Sequence, residues 1–147
     1  MEIVLKAIAV FVLAAASFAA PTLYAQDAAG VGAATAAATD AADKWLAVMD
    51  AGRTAEAWDA AAPMMQTAVT RDTWAKVGNE ARAPFGAVKS RKLGSASYTR
   101  TLPNAPEGEY VVIRYNTDFA DRAGAVETVV PMRQPDGSWK VSGYFIR

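Results

Sequence analysis

The feature that most constrains the fold is an alternation of apolar and polar residues that recurs three times near the C terminus. The alternating segments cover residues 109–119, 125–133 and 138–146, and each has the length of one strand. Short turns join them at residues 121–122 and 134–137, and the second turn carries Pro and Gly where a type I turn favours them. Connections this short predict three consecutive antiparallel strands.

The apolar residues of these strands also predict a register. If Thr117 lies opposite Val126, the large apolar side chains of all three strands share one face, which a one-residue slip would prevent. This register places the hydroxyl groups of Tyr115, Thr117 and Thr128 on the inner face and Glu127 on the outer face. We therefore expect no acidic residue of these three strands to point into the core.

The middle of the chain has helical periodicity. Trp45, Trp58 and Trp74 lie on apolar stripes with a spacing of three or four residues. Thr70 suits a helix N-cap, and Gly52 suits the left-handed residue that follows a helix. The predicted helices cover residues 40–51, 54–62 and 71–82, with a further short turn of helix at 63–69.

A polar segment at residues 88–102 completes the predicted sheet, and Gly94 within it suggests a bulge or a bend. The predicted fold class is α+β. About three N-terminal helices pack on one face of a curved four-stranded antiparallel meander.

The first 25 residues have the layout of a secretory signal peptide. Lys6 precedes an apolar run at residues 7–20, Pro21 ends that run, and Ala25 stands before the predicted cut. The run is shorter than the ~20 residues that a spanning helix needs, which favours cleavage over the alternative of an uncleaved membrane anchor. We expect a periplasmic or secreted protein without stable membrane insertion after cleavage. Residues 26–39, rich in alanine and glycine, predict a flexible tether, with a short alanine helix as the alternative, and the single domain then covers residues 40–147.

The absence of two residue types excludes several kinds of chemistry. The 147 residues include no cysteine, so the chain has no disulfide, no thiol nucleophile and no acceptor for an N-terminal lipid, and it is not a lipoprotein. They include no histidine either, which excludes Ser-His-Asp catalysis and histidine-ligated metals. Fifteen basic and fifteen acidic residues give a net charge of zero and no electrostatic reason to bind nucleic acid. We expect no metal, no cofactor and no catalytic residue.

Two groups of side chains are candidates for binding. The first group is Tyr115, Thr117, Thr128 and Trp58. Hydroxyl groups on an otherwise apolar concave face are typical of a small-ligand pocket. The alternative is a filled core in which the backbone satisfies these hydroxyls.

The second group lies on the predicted outer face of the sheet. Its members are Arg114, Asn116, Asp118, Glu127, Val129 and Tyr144. The four polar members form either a binding or base site, or a solvated charge network of small energy. The apolar members indicate a partner or homodimer surface, or a surface that the tether or the first strand covers.

Several segments occur in series from Trp45 to the C terminus. They are Trp45, Trp58, Trp74, RAPFGAVKSRKL (82–93), LPNAPEGEYVV (102–112), AVETVVPM (125–132) and DGSWKVSGYFI (136–146). In this order they resemble DUF4019, a family of small exported bacterial proteins of unknown function. The resemblance implies a class of protein and no particular site. Helices followed by a curved sheet are also similar to the NTF2-like cone, which implies a fold that hosts binding domains, dimerisation domains and a few isomerases.

The predicted function is that of an exported, non-catalytic domain that binds a small molecule or a protein partner, with a homodimer through the sheet face among the options. The alternative is a small cofactor-free enzyme of the NTF2-like type that uses a buried carboxylate and a tyrosine. The enzyme needs an acidic side chain inside the pocket, which the predicted register does not supply. Asp59, Glu80 or Glu127 in a deep cavity beside a tyrosine would indicate the enzyme.

Overall fold

The computed structural model describes residues 20–147, with side chains from residue 27 onward. The helices are α1 (Ala20–Asp50), α2 (Thr54–Asp59), α3 (Pro63–Ala68) and α4 (Arg71–Arg82), followed by a 3-10 turn at Ala83–Phe85. The strands are β1 (Val88–Thr99), β2 (Tyr110–Phe119), β3 (Ala125–Arg133) and β4 (Trp139–Ile146). They form one open antiparallel sheet in the order β1-β2-β3-β4. The predicted α+β class and the four-stranded meander are confirmed.

Helix α1 is much longer than predicted. Residues 26–39 belong to this helix, so the prediction of a flexible tether there is wrong. Alanine has the highest helix propensity, and its abundance in this segment outweighs the cost of Gly30 and Gly32. Ala38 is the first fully buried side chain along the described part of the helix. The structured unit therefore begins before residue 40.

The N-terminal boundary of the domain bears on export. Residues 1–19 of the predicted signal peptide lie outside the described residues, and the predicted cut after Ala25 falls where the backbone of α1 is helical. Within residues 20–147, none of the helices has the length and apolarity needed to cross a bilayer. Signal-peptide cleavage stays a prediction.

Trp45 joins the helices to the sheet. Its Nε1 donates a hydrogen bond to the carbonyl oxygen of Ala57 over 2.8 Å. Its ring lies 6.0 Å from the ring of Trp74 and 5.4 Å from that of Tyr144, measured between centroids. The main core forms around it, from Ala38, Ala42, Trp45, Leu46, Met49, Ala57, Ala61, Met65, Trp74, Val111, Ile113, Tyr115, Val129 and Val141. The predicted placement of Trp45 and Trp74 in the core is therefore correct.

The pairing of β2 with β3 differs by one residue from the predicted register. Thr117 lies opposite Ala125, not Val126, and Tyr115 lies opposite Glu127. A one-residue shift turns every side chain of a strand to the other face. Glu127 consequently points toward the helices and Thr128 points away from them. The prediction that no acidic residue of these strands faces the core is wrong.

The shift has a physical reason in the composition of β3. Both faces of this strand carry valine, with Val126 and Val130 on the outer face and Val129 on the inner face. An apolar count therefore does not distinguish the two registers. In the structure, buried partners form hydrogen bonds with the carboxylate of Glu127. The predicted register would have left that carboxylate in solvent.

A bulge in β4 changes which aromatic residue faces the core. Val130 lies opposite Gly143 and Pro131 lies opposite Val141, so Ser142 is an extra residue in β4. Beyond the bulge the alternation reverses. Tyr144 consequently points inward, and Phe145 points outward with 65% of its side-chain surface exposed.

The connection between α2 and α3 also covers part of the edge of β4. The backbone N–H of Ala62 donates to the carbonyl oxygen of Val141 over 2.8 Å. The opposite edge of the sheet is β1, which pairs with β2 alone. The β4 edge of the sheet is therefore partly covered by the α2–α3 connection, whereas no other described strand pairs with the β1 edge.

Candidate functional site

Glu127 is fully buried between the sheet and the helices. Its Oε2 accepts hydrogen bonds from Arg91 Nε at 2.7 Å and from Thr117 Oγ1 at 2.8 Å. Its Oε1 accepts one from the hydroxyl of Tyr144 at 2.7 Å. Strands β1, β2 and β4 thus each supply one donor to a carboxylate on β3.

Two further charged residues extend this arrangement toward the helices. Arg91 Nη1 and Nη2 donate to Asp50 Oδ2 and Oδ1 over 2.7 and 3.0 Å. Arg82 Nη2 also donates to Asp50 Oδ1, over 2.6 Å. Arg82 Nη1 lies 4.0 Å from Glu127 Oε1, and it is buried without a hydrogen-bond partner. We call Asp50, Arg82, Arg91 and Glu127 the ionic cluster; its formal charges sum to zero.

The pKa values of Asp50, Arg91 and Tyr144 follow from burial and pairing. Burial alone would raise the pKa of Asp50, but hydrogen bonds from Arg91 and Arg82 outweigh it and hold that pKa below its usual value. Burial alone would lower the pKa of Arg91, but its hydrogen bonds to Asp50 and Glu127 raise it. Burial raises the pKa of Tyr144, and the charge of Glu127 raises it further. Tyr144 therefore keeps its proton at neutral pH and donates it to the hydrogen bond with Glu127.

The contact of Glu127 with Tyr144 resembles the pair that the enzyme hypothesis requires. Glu127, however, has no exposed surface, and three donors already bond its carboxylate. The neighbouring cleft is lined by Asp50 and Arg91 and not by Glu127. A substrate in that cleft would not contact the carboxylate. The ionic cluster joins Asp50 of α1 and Arg82 of α4 to Arg91 and Glu127 of the sheet.

A cleft of about 390 Å³ opens beside the ionic cluster, between α1 and β1. Its lining is Thr39, Asp43, Ala47, Asp50, Arg91, Leu93 and Tyr115. The hydroxyl of Tyr115 donates to Asp43 Oδ1 over 2.6 Å. Burial raises the pKa of Tyr115, and this hydrogen bond raises it further. The polar groups of the cleft mostly bond one another, which leaves few of them for a ligand.

A larger groove lies between α1 and the start of β4, with a volume of about 510 Å³. Its lining is Ala37, Asp40, Ala41, Lys44, Trp45, Val48, Ala60 and residues 137–141. We call it the tryptophan groove, because the indole rings of Trp45 and Trp139 belong to it. Lys44 and Lys140 are the two basic residues among its lining residues. Lys44 is paired with Asp40 at 2.6 Å, whereas Lys140 has no ion pair within residues 27–147.

The structure separates the first predicted group of site residues. Tyr115 and Thr117 face inward as predicted, and both bond acidic side chains. Thr128 lies on the outer face of β3, so its predicted place in the pocket is wrong. Trp58 is half-buried against the core, and its Nε1 donates to the carbonyl oxygen of Val69 over 2.8 Å. Trp58 is among the lining residues of neither the cleft nor the tryptophan groove.

The second predicted group is also divided. Arg114, Asn116 and Asp118 are exposed on the outer face, as predicted. The other three members lie on the inner face, and their prediction as a surface network or partner face is wrong: Glu127, Val129 and Tyr144. The shifted register of β3 and the bulge at Ser142 account for all three.

Sequence reasoning missed most of the ionic cluster. Arg91 was not among the predicted site residues, because the alternation of β1 is broken by register shifts after Val88 and after Leu93. The sequence does indicate that Asp43 and Asp50 lie on the same face of the first helix, because they are seven residues, or two turns, apart. Within the described residues, no group of three or more potential metal-ligating side chains lies together.

Most of the residues described above lie within a segment that matches a known protein family. Residues 41–144 match a family described as "Protein of unknown function (DUF4019)". The chain belongs to the DUF4019 family. No curated protein and no solved structure matches it. The DUF4019 match contains the whole ionic cluster and most of the tryptophan groove, whereas the mostly exposed residues 27–37 of α1 lie outside it. The predicted resemblance to DUF4019 is confirmed, and the NTF2-like likeness stays a prediction.

Proposed function

We propose that this DUF4019 domain is an exported, non-catalytic binding domain whose tryptophan groove holds a small aromatic or apolar molecule with an anionic group. The groove itself carries the proposal. Its volume of about 510 Å³ is in the range of small-ligand sites, which are mostly apolar with a few polar groups. Trp45, Val48 and Val141 supply a rigid apolar floor, and Trp139 at the side is half-exposed.

The anionic group follows from the charges among the lining residues. Asp40 neutralises Lys44, and this leaves the ammonium of Lys140 without a partner in the described part of the chain. A carboxylate or sulfonate on a ligand in the groove would be attracted to Lys140, which is one of the lining residues. Aromatic stacking and one charge would together orient the ligand.

The ionic cluster supports binding over catalysis. The cofactor-free enzyme requires a carboxylate that contacts a substrate beside a tyrosine. Glu127 does contact Tyr144, but Arg91 and Thr117 bond the same carboxylate and its surface is fully covered. The tryptophan groove lacks a tyrosine, and its acidic side chain, Asp40, is paired with Lys44.

Export is proposed from the N-terminal sequence. Lys6, the apolar run at residues 7–20 and the small residue Ala25 support a cleaved signal peptide. The absence of cysteine is compatible with a periplasmic or secreted protein that burial holds together without disulfides.

A fluorescence titration tests the groove with 1-anilinonaphthalene-8-sulfonate, which combines aromatic rings with one sulfonate. The wild type should bind this probe saturably at one site. Trp139→Ala and Lys140→Glu should each weaken binding by about tenfold or more, which corresponds to the loss of one good contact. The controls are Phe145→Ala, which removes an exposed aromatic residue elsewhere, and Lys76→Glu, which reverses an exposed charge on α4; both should bind as the wild type does.

The outcomes are distinct. Saturable binding that Trp139→Ala and Lys140→Glu weaken supports the proposal. Absence of saturable binding by the folded wild type, or equal binding by all four variants, overturns it.

A further inference from the structure

We propose that the outer face of the sheet binds a second copy of this chain, face to face, as a dimer with two-fold symmetry. The surface consists of Arg114, Asn116 and Asp118 from β2, Val126 and Thr128 from β3, and Phe145 from β4. We call it the outer patch. The proposal is independent of the tryptophan groove, which lies on the helix side of the sheet.

The charges of the outer patch are unpaired within one chain. Arg114 is exposed and has no ion pair or side-chain hydrogen bond within residues 27–147. Asp118 is exposed, and its carboxylate accepts hydrogen bonds from the neutral groups Gly124 N at 2.8 Å and Ser90 Oγ at 3.4 Å. The two charges are four residues apart on one strand, hence about 13 Å at ~3.3 Å per residue. Asn116 lies midway between them.

This spacing makes the patch complementary to itself. Two sheets that pack face to face as a symmetric dimer are related by an axis within their interface. If that axis crosses β2 at Asn116, the second β2 runs in the opposite direction. Arg114 of each copy then lies opposite Asp118 of the other, so the dimer gains two ion pairs. An axis along the strand would instead oppose each charge to itself, so the charges select one orientation.

The patch also has two apolar members, of which Val126 lies beside the proposed axis and Phe145 lies at the margin on β4. Phe145 is 65% exposed and lies opposite Thr128 in the sheet. Val126 lies opposite Asn116, next to the proposed axis. Contact with a second sheet would remove apolar surface of the exposed Phe145 and the half-buried Val126 from water, and this burial would stabilise the dimer.

One residue of β1 opposes the proposed dimer. Lys92 lies opposite Asn116 and is exposed. In the proposed orientation the two copies of Lys92 face each other, and their charges repel. Arg147 pairs with Val126 and meets its own copy in the same way at the β4 edge; both repulsions lie at sheet edges, where long side chains reach solvent. This geometry provides an additional test, because removal of the Lys92 charge should strengthen the dimer.

Sedimentation velocity over a concentration series tests the proposal on the purified protein. The wild type should be a dimer in reversible equilibrium. Arg114→Asp and Asp118→Arg should each raise the dissociation constant by at least about tenfold, since each places two pairs of like charges together. The double variant Arg114→Asp/Asp118→Arg restores both ion pairs in reverse and should recover most of the wild-type affinity. Lys92→Ser should lower the dissociation constant.

The control is Lys76→Glu on α4, which reverses an exposed charge in the opposite layer and should leave the dissociation constant unchanged. All substituted residues are exposed, so circular dichroism should report the wild-type fold for each variant. A wild type that stays monomeric at every concentration overturns the proposal. So does a dimer that neither single reversal weakens, or a double variant no stronger than the single ones.

Discussion

Arg91 Nε donates to Glu127 Oε2 over 2.7 Å, and the carboxylate that accepts this bond has no exposed surface. The guanidinium of the same arginine also holds Asp50 on α1. One side chain on the edge strand thus ties the centre of the sheet to the longest helix. Removal of one partner from a buried ion pair is costly, because the other charge stays buried without compensation.

The first prediction concerns this bond. Glu127→Gln should destabilise the folded state by about 3 kcal/mol, because Arg91 loses its buried counterion. Urea unfolding, followed by circular dichroism, measures the change. The matched control is Glu56→Gln, which breaks an exposed pair with Arg53 and should cost less than about 1 kcal/mol.

A double substitution refines the first prediction. Arg91→Met with Glu127→Leu removes both charges and should cost less than the sum of Arg91→Met and Glu127→Leu alone, since the residues are in contact. Equal costs for Glu127→Gln and Glu56→Gln would show that the buried pair has no special role.

The second prediction concerns acid stability. The pKa of Asp50 is lower in the folded protein than in the unfolded chain, so this residue stabilises the fold at any pH above its unfolded value of about 3.9. That contribution is lost as the pH falls through the lower folded value. Asp50→Asn should therefore reduce the free energy of unfolding at pH 7, and the deficit relative to the wild type should shrink below about pH 4.

Urea unfolding of the wild type and Asp50→Asn at several pH values measures that deficit. Asp40→Asn is the control, because Asp40 forms a well-exposed pair with Lys44 and contributes little to stability at any pH. A deficit for Asp50→Asn that is constant between pH 7 and pH 3 would contradict the assignment.

The third prediction uses two helical glycines in different surroundings. A Cβ at Gly78 in α4 would lie 2.7 Å from Cγ2 of Thr54, a buried residue whose hydroxyl is bonded to Asn79. Gly78→Ala should therefore destabilise the fold by about 1–3 kcal/mol, although alanine favours helix. A Cβ at Gly32 in α1 would have no neighbour within 4 Å. Gly32→Ala should leave stability unchanged or raise it by up to about 1 kcal/mol.

Thermal or urea unfolding of the two variants compares the glycines directly. Gly78→Ala at least as stable as Gly32→Ala would mean that α4 and α2 do not pack as closely as described.

The fourth prediction concerns export. Mass spectrometry of the protein from a periplasmic fraction should find a chain that begins near Gln26, since the cut is expected after Ala25. An intact precursor in that fraction would instead favour the uncleaved anchor.

In either case circular dichroism of a mature chain that begins at Gln26, compared with one that begins at residue 38, should reveal the added helix of residues 26–37.

The helices could be predicted because their signals are local. Trp45 and Trp74 repeat on helical faces and lie in the core. Thr70 caps α4 by accepting from Thr73 N, and Gly52 has the positive φ of 73° that was expected after the helix. Propensity alone would also have extended α1, but the segment before Ala38 lacks an apolar stripe and so was not recognised.

The sheet was harder because its register depends on contacts between distant segments. The valines of β3 occur on both faces, and the inserted Ser142 reverses the alternation of β4 beside Gly143 and across from Pro131, two residues whose bulge signal depends on strands that pair across the turn. The ionic cluster was hidden for the same reason. Glu127 and Arg91 are 36 residues apart in the sequence, and Arg91 and Asp50 are 41 apart. No local pattern therefore predicts either pair.

The bond from Ala62 to Val141 has a consequence for how this protein can assemble by strand addition. A polymer that grows strand by strand needs two open edges on every subunit, one to receive and one to offer. Here the α2–α3 connection bonds β4 at Val141, and β1 is the edge that remains. When two molecules join through β1, each uses its one open edge. Growth would therefore stop at the pair and would not continue into a fibre.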